Sequence, residues 1–354
     1  MVHEKIETFK RFWKGEGPCL ILIPPPEPAP YDAHDYPTLF HHPQYMWEAE
    51  MHRAKAVLDW PTDGIPTVRP SLGVVFVPSM TGQGYKLRAG QMPWHGEPLS
   101  REQIRKSAEI DVAATELMQL AEEFYRIHHQ KNHAPIVAYH ADTQGVFDVA
   151  HLVYGDQIFY DLANENEHPW IRELLEICLA LYIKATDHLK KMLSENTSEM
   201  IHGHGTSQGV YFPHAGVRMS EDTPTLVSPR MIEQFILPVI ERGAEVFGGA
   251  FVHYCGFHLE LFEQLCHSNL VKAIDLGNPE MYDLQWLLER CAETGTVFHS
   301  RVAELPGEDW RMYLRRIAKI INDTDARCIL RPSIYPKTKA ECAEMRSLWH
   351  ELTS

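Results

Sequence analysis

The sequence predicts an α/β protein folded as a (β/α)8 TIM barrel. Short apolar runs alternate along the chain with longer amphipathic ones, which is the pattern of a parallel sheet covered by helices. Eight of the apolar runs are candidate strands, and eight parallel strands close a barrel of this type. A doubly wound open sheet is the alternative. The eight candidate strands are 19–23, 73–77, 135–140, 199–202, 250–253, 271–275, 296–299 and 327–330.

Length and composition indicate one large globular unit. The 354 residues, 44% of them hydrophobic, fit a single barrel domain over residues 1–354. We expect an N-terminal extension over about residues 1–17 and a stiff proline-rich loop at 24–30. No apolar run is long enough to span a membrane, and the first residues carry charges of both signs, so we expect neither a transmembrane helix nor a secretory signal.

Charge and cysteine usage exclude further classes. The formal net charge is −15, which is the wrong sign for a protein that tracks nucleic-acid phosphates. The seven cysteines form no Cys-x-x-Cys pair, so we expect free thiols in a reducing, cytoplasmic compartment. A small-molecule substrate is therefore the expected ligand. The sequence leaves the oligomeric state open, with a homodimer as one possibility.

Several helix starts carry capping signals. Ser100 opens a capping box, and the pattern after it predicts a long helix to about residue 130. Thr338 caps the last helix in the same way. Ser228 followed by Pro229 predicts another helix start, with a kink at Pro238.

Polar residues follow six of the candidate strands at the same end. In (β/α)8 barrels the catalytic residues come from the carboxyl ends of the strands. Four of these six ends carry histidine, which favours a functional cluster over ordinary polar loops. The six strand ends are 139–142, 201–204, 252–256, 274–278, 298–301 and 330–333.

His253 and Cys255 form the sharpest motif. Residues two apart on a strand point to the same side, so both side chains can face one metal ion. Imidazole nitrogen and thiolate sulfur are ligands that zinc favours. A packed cysteine beside a hydrogen-bonded histidine is the structural alternative.

Other residues near these strand ends could complete a site. Glu221 and Asp222 could supply an oxygen ligand or a general base, or they could form an acidic loop before a helix. His202, His204 and His299 could act as further ligands or catalytic groups, or could be core histidines.

Charged residues at the strand ends suggest how a substrate is held. Asp142 could transfer protons. Arg301 and Arg331 could bind a substrate carboxylate bidentately, or could make ordinary surface ion pairs.

Six segments, read together, resemble the uroporphyrinogen decarboxylase superfamily. That superfamily contains the true decarboxylases and zinc-dependent methyltransferases that act on methylated corrinoid proteins. The resemblance extends over roughly residues 70 to 350 and implies a (β/α)8 barrel of the uroporphyrinogen decarboxylase type. The segments are 142–150, 153–155, 220–222, 226–231, 235–238 and 253–256.

The resemblance is closer to the methyltransferase branch. True decarboxylases carry an arginine-rich segment after the first strand, whereas residues 22–28 here contain no arginine. The methyltransferases have His-x-Cys at the end of a central strand, matched by His253 and Cys255. Their second cysteine is missing from residues 331–335, and Cys328 lies about three residues too early. The resemblance therefore implies zinc held by His253 and Cys255, completed by Glu221, His299 or a histidine of the 202/204 pair.

Three functions follow as hypotheses. The first is a zinc-assisted methyltransferase that moves a methyl group from a corrinoid protein to a thiol; the chain has no evident corrinoid domain, so a partner protein must supply the cobamide. The second is a decarboxylase or lyase in which Arg301 or Arg331 holds a carboxylate and Asp142, Asp222 or Asp275 handles protons. The third is a non-catalytic metal-binding or corrinoid-docking barrel.

Overall fold

The computed structural model describes residues 2–28, 34–88 and 91–354. Within these ranges the chain alternates strands and helices, and most strands are short and buried. The strands, numbered in chain order, are β1 Leu20–Ile21, β2 Ile65–Val68, β3 Tyr85–Lys86, β4 Trp94–His95, β5 Val137–Ala138, β6 Met200–His202, β7 Gln208–Phe212, β8 Val217–Ser220, β9 Ala250–Tyr254, β10 Val271–Leu276, β11 Val297–Val302 and β12 Cys328–Pro332.

Helices cover the sheets along the whole chain. Five short 3-10 turns and one π-helical segment, Ile232–Ile236, connect or interrupt the α-helices of the described ranges. The α-helices are α1 Val2–Trp13, α2 Tyr36–His41, α3 Pro43–Leu58, α4 Phe76–Ser79, α5 Arg101–Ser107, α6 Glu116–Lys131, α7 Val146–Tyr154, α8 Gln157–Ala163, α9 His168–Leu193, α10 Pro229–Met231, α11 Leu237–Val246, α12 Leu259–His267, α13 Leu284–Thr294, α14 Trp310–Thr324 and α15 Lys339–Leu352.

A parallel sheet of six strands forms a curled half-barrel. Its order is β1-β12-β11-β10-β9-β8, and each pair of neighbours is parallel. A second sheet has the order β5-β2-β7-β6, in which β2 pairs parallel with β5 and antiparallel with β7. The predicted α/β class and parallel sheet are confirmed. The ladders of the described residues form these separate sheets, together with a small β3-β4 hairpin, rather than one continuous eight-stranded ring.

Seven of the eight predicted strand regions contain a strand, but 73–77 does not. Gly73–Val75 is a 3-10 turn that leads into α4. A short buried apolar run fits a helix as well as a strand, and this one lies in the core. The strand that pairs with β5 is instead β2. The sequence does not indicate this strand, because it contains Pro66 and proline is rare inside strands.

The predicted fourth strand is not part of the six-stranded parallel sheet. Its residues form β6, which makes an antiparallel hairpin with β7. The strand beside β9 is β8, which was not predicted. This correction matters for function, because Glu221 and Asp222 then stand directly at the carboxyl end of a strand neighbouring His253.

Most capping signals are confirmed, and two helices differ in their course. The capping box at Ser100 and the Thr338 cap form as expected. The helix from residue 101 is shorter than predicted, because it ends at Ser107 and α6 begins only at Glu116. Residues 229–246 are helical without a break, and the π-helical segment Ile232–Ile236 interrupts the regular α-helix just before Pro238, which cannot donate an amide hydrogen to the preceding turn.

The N-terminal segment packs against the fold. Phe9 and Phe12 of α1 are buried, and the Trp13 indole donates to the backbone oxygen of Tyr211 in β7. The Lys5 ammonium donates to two backbone oxygens just before β2. The N-terminal helix α1 therefore packs on the core through the face that carries Phe9 and Phe12. No helix in the described part of the chain is both long and apolar enough to cross a bilayer.

Candidate functional site

His253, Cys255 and Asp222 converge at the carboxyl ends of β8 and β9. His253 lies in β9, Cys255 follows that strand, and Asp222 lies two residues after β8. Cys255 Sγ is 3.5 Å from His253 Nε2, and Asp222 Oδ1 is 3.9 Å from the same nitrogen. One donor atom of each residue lies within 4.8 Å of the other two. The donors of a tetrahedral zinc are about 3.3–3.8 Å apart, so this set could close on one ion by small side-chain movements.

Asp275 orients the His253 ring. Register pairs Asp275 of β10 with His253 of β9, and His253 Nδ1 is 3.0 Å from Asp275 Oδ2. An ionised carboxylate only accepts hydrogen bonds, so this bond requires the proton on Nδ1. The Nε2 lone pair is then free to face Cys255 and Asp222. Metal-binding histidines are commonly oriented in this way.

Asp275 is held as a carboxylate in a fully buried position. Burial favours its neutral form, but Arg331 and His253 outweigh burial and keep the pKa of Asp275 well below its ordinary value. Arg331 pairs with one carboxylate oxygen, and His204 Nε2 lies 3.2 Å from the other. His204 has a φ of 45°, a conformation rare for a residue other than glycine. The ligand atoms of His204, His253 and Asp275 form a second close group.

Cys255 is the exposed thiol of the molecule. The other six cysteines are buried. Its amide donates to Asp222 Oδ1 over 2.7 Å, and burial together with the nearby Asp222 charge raises the pKa of its thiol to about 11. A β-carbon on Gly277 would lie 2.4 Å from Cys255 Sγ, so glycine at that position leaves the sulfur its room. The thiol needs a bound cation to become a thiolate at neutral pH.

Glu221, expected as a ligand, points away from this group. Its fully buried carboxyl group accepts hydrogen bonds from the amides of Phe147 and Asp148 at the start of α7, and burial together with the Asp148 charge raises its pKa well above the ordinary value. Side chains of consecutive residues point in different directions, so Asp222 rather than Glu221 accompanies His253. Asp222 thus takes the position in the donor set that sequence reasoning gave to Glu221.

The other predicted histidines lie deeper in the fold. His202 Nδ1 accepts from the His204 amide over 3.0 Å. His299 is buried against the ring of Phe251, and neither of its ring nitrogens has a partner among the described residues. Burial, aided by the charge of Arg331, lowers the pKa of His299 to about 3. His202 and His299 fall outside both close donor groups.

Asp142 belongs to a buried charge network. Its carboxylate is 2.9 Å from Arg218 and 3.6 Å from Arg69. Burial raises its pKa, but the two guanidinium groups outweigh this and lower it.

An arginine-rich cavity is linked to the donor group through the Arg331–Asp275 ion pair. It has a volume of about 280 Å³, and its lining includes three arginines, one glutamate and two prolines: Arg53, Arg301, Arg331, Glu27, Pro24 and Pro25. Register places Arg301 beside Arg331 on neighbouring strands. Arg331 is paired with Asp275, whereas Arg301 makes no ion pair with any residue in the described ranges. The cavity can therefore receive an anionic group.

Sequence reasoning missed several residues of this region. The sequence does not single out Arg69, Arg218 or Asp148, because they lie beside or within β2, β8 and the first turn of α7, which the sequence patterns do not indicate. Asp275 was noted only as a proton carrier, although it ends a predicted strand beside that of His253. The adjacency of those two strands was the available signal for its role.

Comparison with known proteins gives a likeness in fold. No family model matches the chain, and no curated protein sequence matches it. The solved structure of a methyltransferase from Methanosarcina mazei is similar, with a TM-score of 0.66, 14% sequence identity and coverage of 98% of each chain. At this identity the likeness establishes a shared fold over nearly the full length.

Proposed function

We propose that this protein is a zinc-assisted methyltransferase that moves a methyl group from a corrinoid, carried by a partner protein, to the sulfur of a small thiol. The observation that carries the proposal is the donor group of His253, Cys255 and Asp222, with its imidazole oriented by Asp275. The likeness in fold to a protein named a methyltransferase supports it. The sequence motifs support the finer assignment to barrels of the uroporphyrinogen decarboxylase type.

The donor set suits zinc. One nitrogen, one sulfur and one carboxylate oxygen leave a fourth position for substrate, as catalytic zinc sites do. When bound there, zinc lowers the pKa of a coordinated thiol so that a thiolate is available at neutral pH. The chain itself positions the residues that would hold the metal: Asp275 fixes the ring of His253, and Asp222 accepts the Cys255 amide hydrogen.

The arginine-lined cavity would hold the remainder of the substrate. Arg301 is free to form a charge-assisted pair, and Arg331 connects the cavity to Asp275. Pro24 and Pro25 would exclude water from the aliphatic part of the substrate. These contacts favour a thiol that carries a negative charge.

Exposed apolar side chains at the carboxyl ends of the strands support a protein partner. Each lies in the segment that follows one of the strands β8 to β12, at latest in the first residue of the next helix, so all are at the same end of the sheet as Cys255. Apolar residues clustered around a site are typical of docking surfaces. They are Leu226, Phe257, Leu259, Met281, Leu305 and Tyr335.

Metal analysis followed by a single-substrate assay tests the proposal. We expect close to one zinc per chain in protein purified without chelators, and its loss in Cys255→Ser. Cys342→Ala, which removes a buried thiol in α15, is the matched control and should keep the metal. Free methylcobalamin should lose its methyl group in the presence of 3-mercaptopropionate and wild-type protein only. Folded wild-type protein without zinc would refute the proposal.

The arginine cavity also favours a second candidate, decarboxylation of a carboxylated substrate. Arg301 would bind the carboxylate, and Asp142 or Asp222 would handle the proton. This reaction needs no metal in the donor group. Decarboxylase activity that survives exhaustive chelation would favour it over methyl transfer.

A further inference from the structure

Two buried carboxyl groups, those of Glu221 and Asp148, form reciprocal hydrogen bonds next to the segment that bears Asp222. Glu221, directly after β8, accepts hydrogen bonds from the amides of Phe147 and Asp148 over 3.3 and 3.1 Å. Asp148, in α7, accepts from the amides of Asp222 and Thr223 over 3.0 and 2.8 Å. Each carboxylate therefore binds two amides of the segment that carries the other.

A glycine at position 145 leaves room for the Glu221 side chain at the start of α7. A β-carbon on Gly145 would lie 2.3–2.6 Å from atoms of the Glu221 carboxyl group, so only glycine lets Glu221 reach the start of α7. Asp148 is 4% exposed and Glu221 is not exposed at all. Burial, with the charge of Asp222 added, raises the pKa of Asp148 to about 7. Burying two carboxyl groups together is costly, and the four hydrogen bonds that offset this cost join the end of β8 to α7.

The segment that the pair holds is the one bearing Asp222. Asp148 fixes the amides of residues 222 and 223, and the side chain of Asp222 in turn accepts the Cys255 amide hydrogen. The Glu221 amide donates to the backbone oxygen of His253 over 2.8 Å. The chain of contacts runs without a gap from α7 to His253 and Cys255.

We propose that Asp148 and Glu221 are positioning residues that clamp the β8 end to α7 and so set the Asp222 carboxylate against His253 and Cys255. This inference rests on the proposed function for its chemical purpose, but the clamp can be measured without metal. Neither residue touches the donor atoms directly, so both act through Asp222.

Asp148→Asn tests the clamp with almost no change in shape. The amide group of asparagine can accept one of the two backbone hydrogens but meets the other with a donor. We expect zinc affinity, measured by competition with a chromophoric chelator, to fall roughly 10- to 100-fold, as for other groups that support metal ligands. Gly145→Ala displaces Glu221 from the other side and should weaken zinc similarly.

A second readout is independent of zinc. With Asp222 released, the Cys255 thiol loses a neighbouring negative charge, so its alkylation by iodoacetamide in metal-free protein at pH 7.5 should be about three- to tenfold faster. Only Cys255 should react, because the other cysteines are buried. The control is Asp161→Asn in α8, another buried and hydrogen-bonded aspartate, which should change neither rate nor affinity.

The outcomes separate the two proposals. Wild-type protein that binds no zinc would overturn the metal function, while a faster Cys255 reaction in Asp148→Asn and Gly145→Ala would still support the clamp. Zinc affinity and alkylation rates equal to wild type in both variants would overturn the clamp. An equal effect of Asp161→Asn would also overturn it, because the change would then reflect general loosening of the fold.

Discussion

His253 Nδ1 lies 3.0 Å from Asp275 Oδ2, on two neighbouring parallel strands that bring the residues into direct register. Asp275 also binds Arg331 and lies beside His204, so a single buried carboxylate organises the imidazole, the cavity arginine and a second histidine. Through its contacts with His253 and Arg331, Asp275 connects the donor group with the arginine-lined cavity.

Asp275→Asn should therefore weaken the metal centre. The asparagine amide can donate to Nδ1 and so stabilise the ring with its proton on Nε2, which removes the lone pair that faces the other donors. We expect zinc affinity to drop by roughly 10- to 100-fold, measured by chelator competition. Asp63→Asn is the matched control: this aspartate is equally buried and paired with Arg346 and His350, but lies at the amino end of β2. It should lower stability and leave zinc affinity unchanged.

Gly277→Ala should displace the Cys255 sulfur. The added β-carbon would lie 2.4 Å from Sγ, which is too close for any real contact. We expect zinc content to fall well below that of wild type, while the thermal midpoint changes little because the site is at the surface. Gly84→Ala introduces a methyl group that meets no atom within 4 Å and serves as control. Full zinc retention in Gly277→Ala would contradict the assignment of Cys255 as a ligand.

Arg301→Met should alter substrate choice rather than metal binding. Arg301 lines the cavity without an ion-pair partner among the described residues, so its charge is available to a ligand. Losing one charge-assisted hydrogen bond of about 1.5 kcal/mol costs roughly tenfold in binding. We expect KM for 3-mercaptopropionate to rise about tenfold, with KM for the neutral 3-mercaptopropanol unchanged. Equal effects on both thiols would exclude a role in charge recognition.

The sequence was sufficient to predict that His253 and Cys255 face each other and to name Asp222 as a candidate oxygen ligand, but not to place Asp222, rather than Glu221, beside them. The spacing of two along a strand is local, so it survives any error in topology. Asp222 depends on β8, a four-residue strand with Arg218 inside it that gives no clear alternation. The sequence predicts 199–202, which forms β6, as the strand before β9. Residues 221 and 222 then fall in a predicted loop rather than at the end of a strand.

The other differences have similar physical causes. The run 73–77 is apolar throughout and mostly buried. A short apolar run of this kind is compatible with a helix as well as with a strand. Asp275 could be placed at a strand end, but its bond to His253 depends on register between β9 and β10, which amino-acid patterns do not encode. Tertiary pairing, rather than local propensity, decides both cases.

His299→Phe tests whether this histidine serves the metal or the core. Neither ring nitrogen has a partner among the described residues, and the ring packs on Phe251, so an apolar ring of similar shape loses no hydrogen bond. We expect zinc content to be unchanged and stability at pH 7 to be equal or higher. Loss of zinc in His299→Phe would instead indicate that His299 is a metal ligand.

The pH dependence of unfolding gives the second measurement for this variant. Burial lowers the pKa of His299 to about 3, so between its ordinary pKa of about 6.5 and pH 3 the unfolded chain holds one more proton at this residue than the folded chain. Stability then falls as pH decreases, by about 1.4 kcal/mol per pH unit from this group alone. His299→Phe should remove that slope in urea unfolding measured from pH 7 to pH 4. His128→Phe is the informative comparison, because burial also lowers the pKa of His128, to about 4, but its ring accepts from Trp47. That variant should flatten the slope and also lose stability at pH 7, since the Trp47 hydrogen bond is broken.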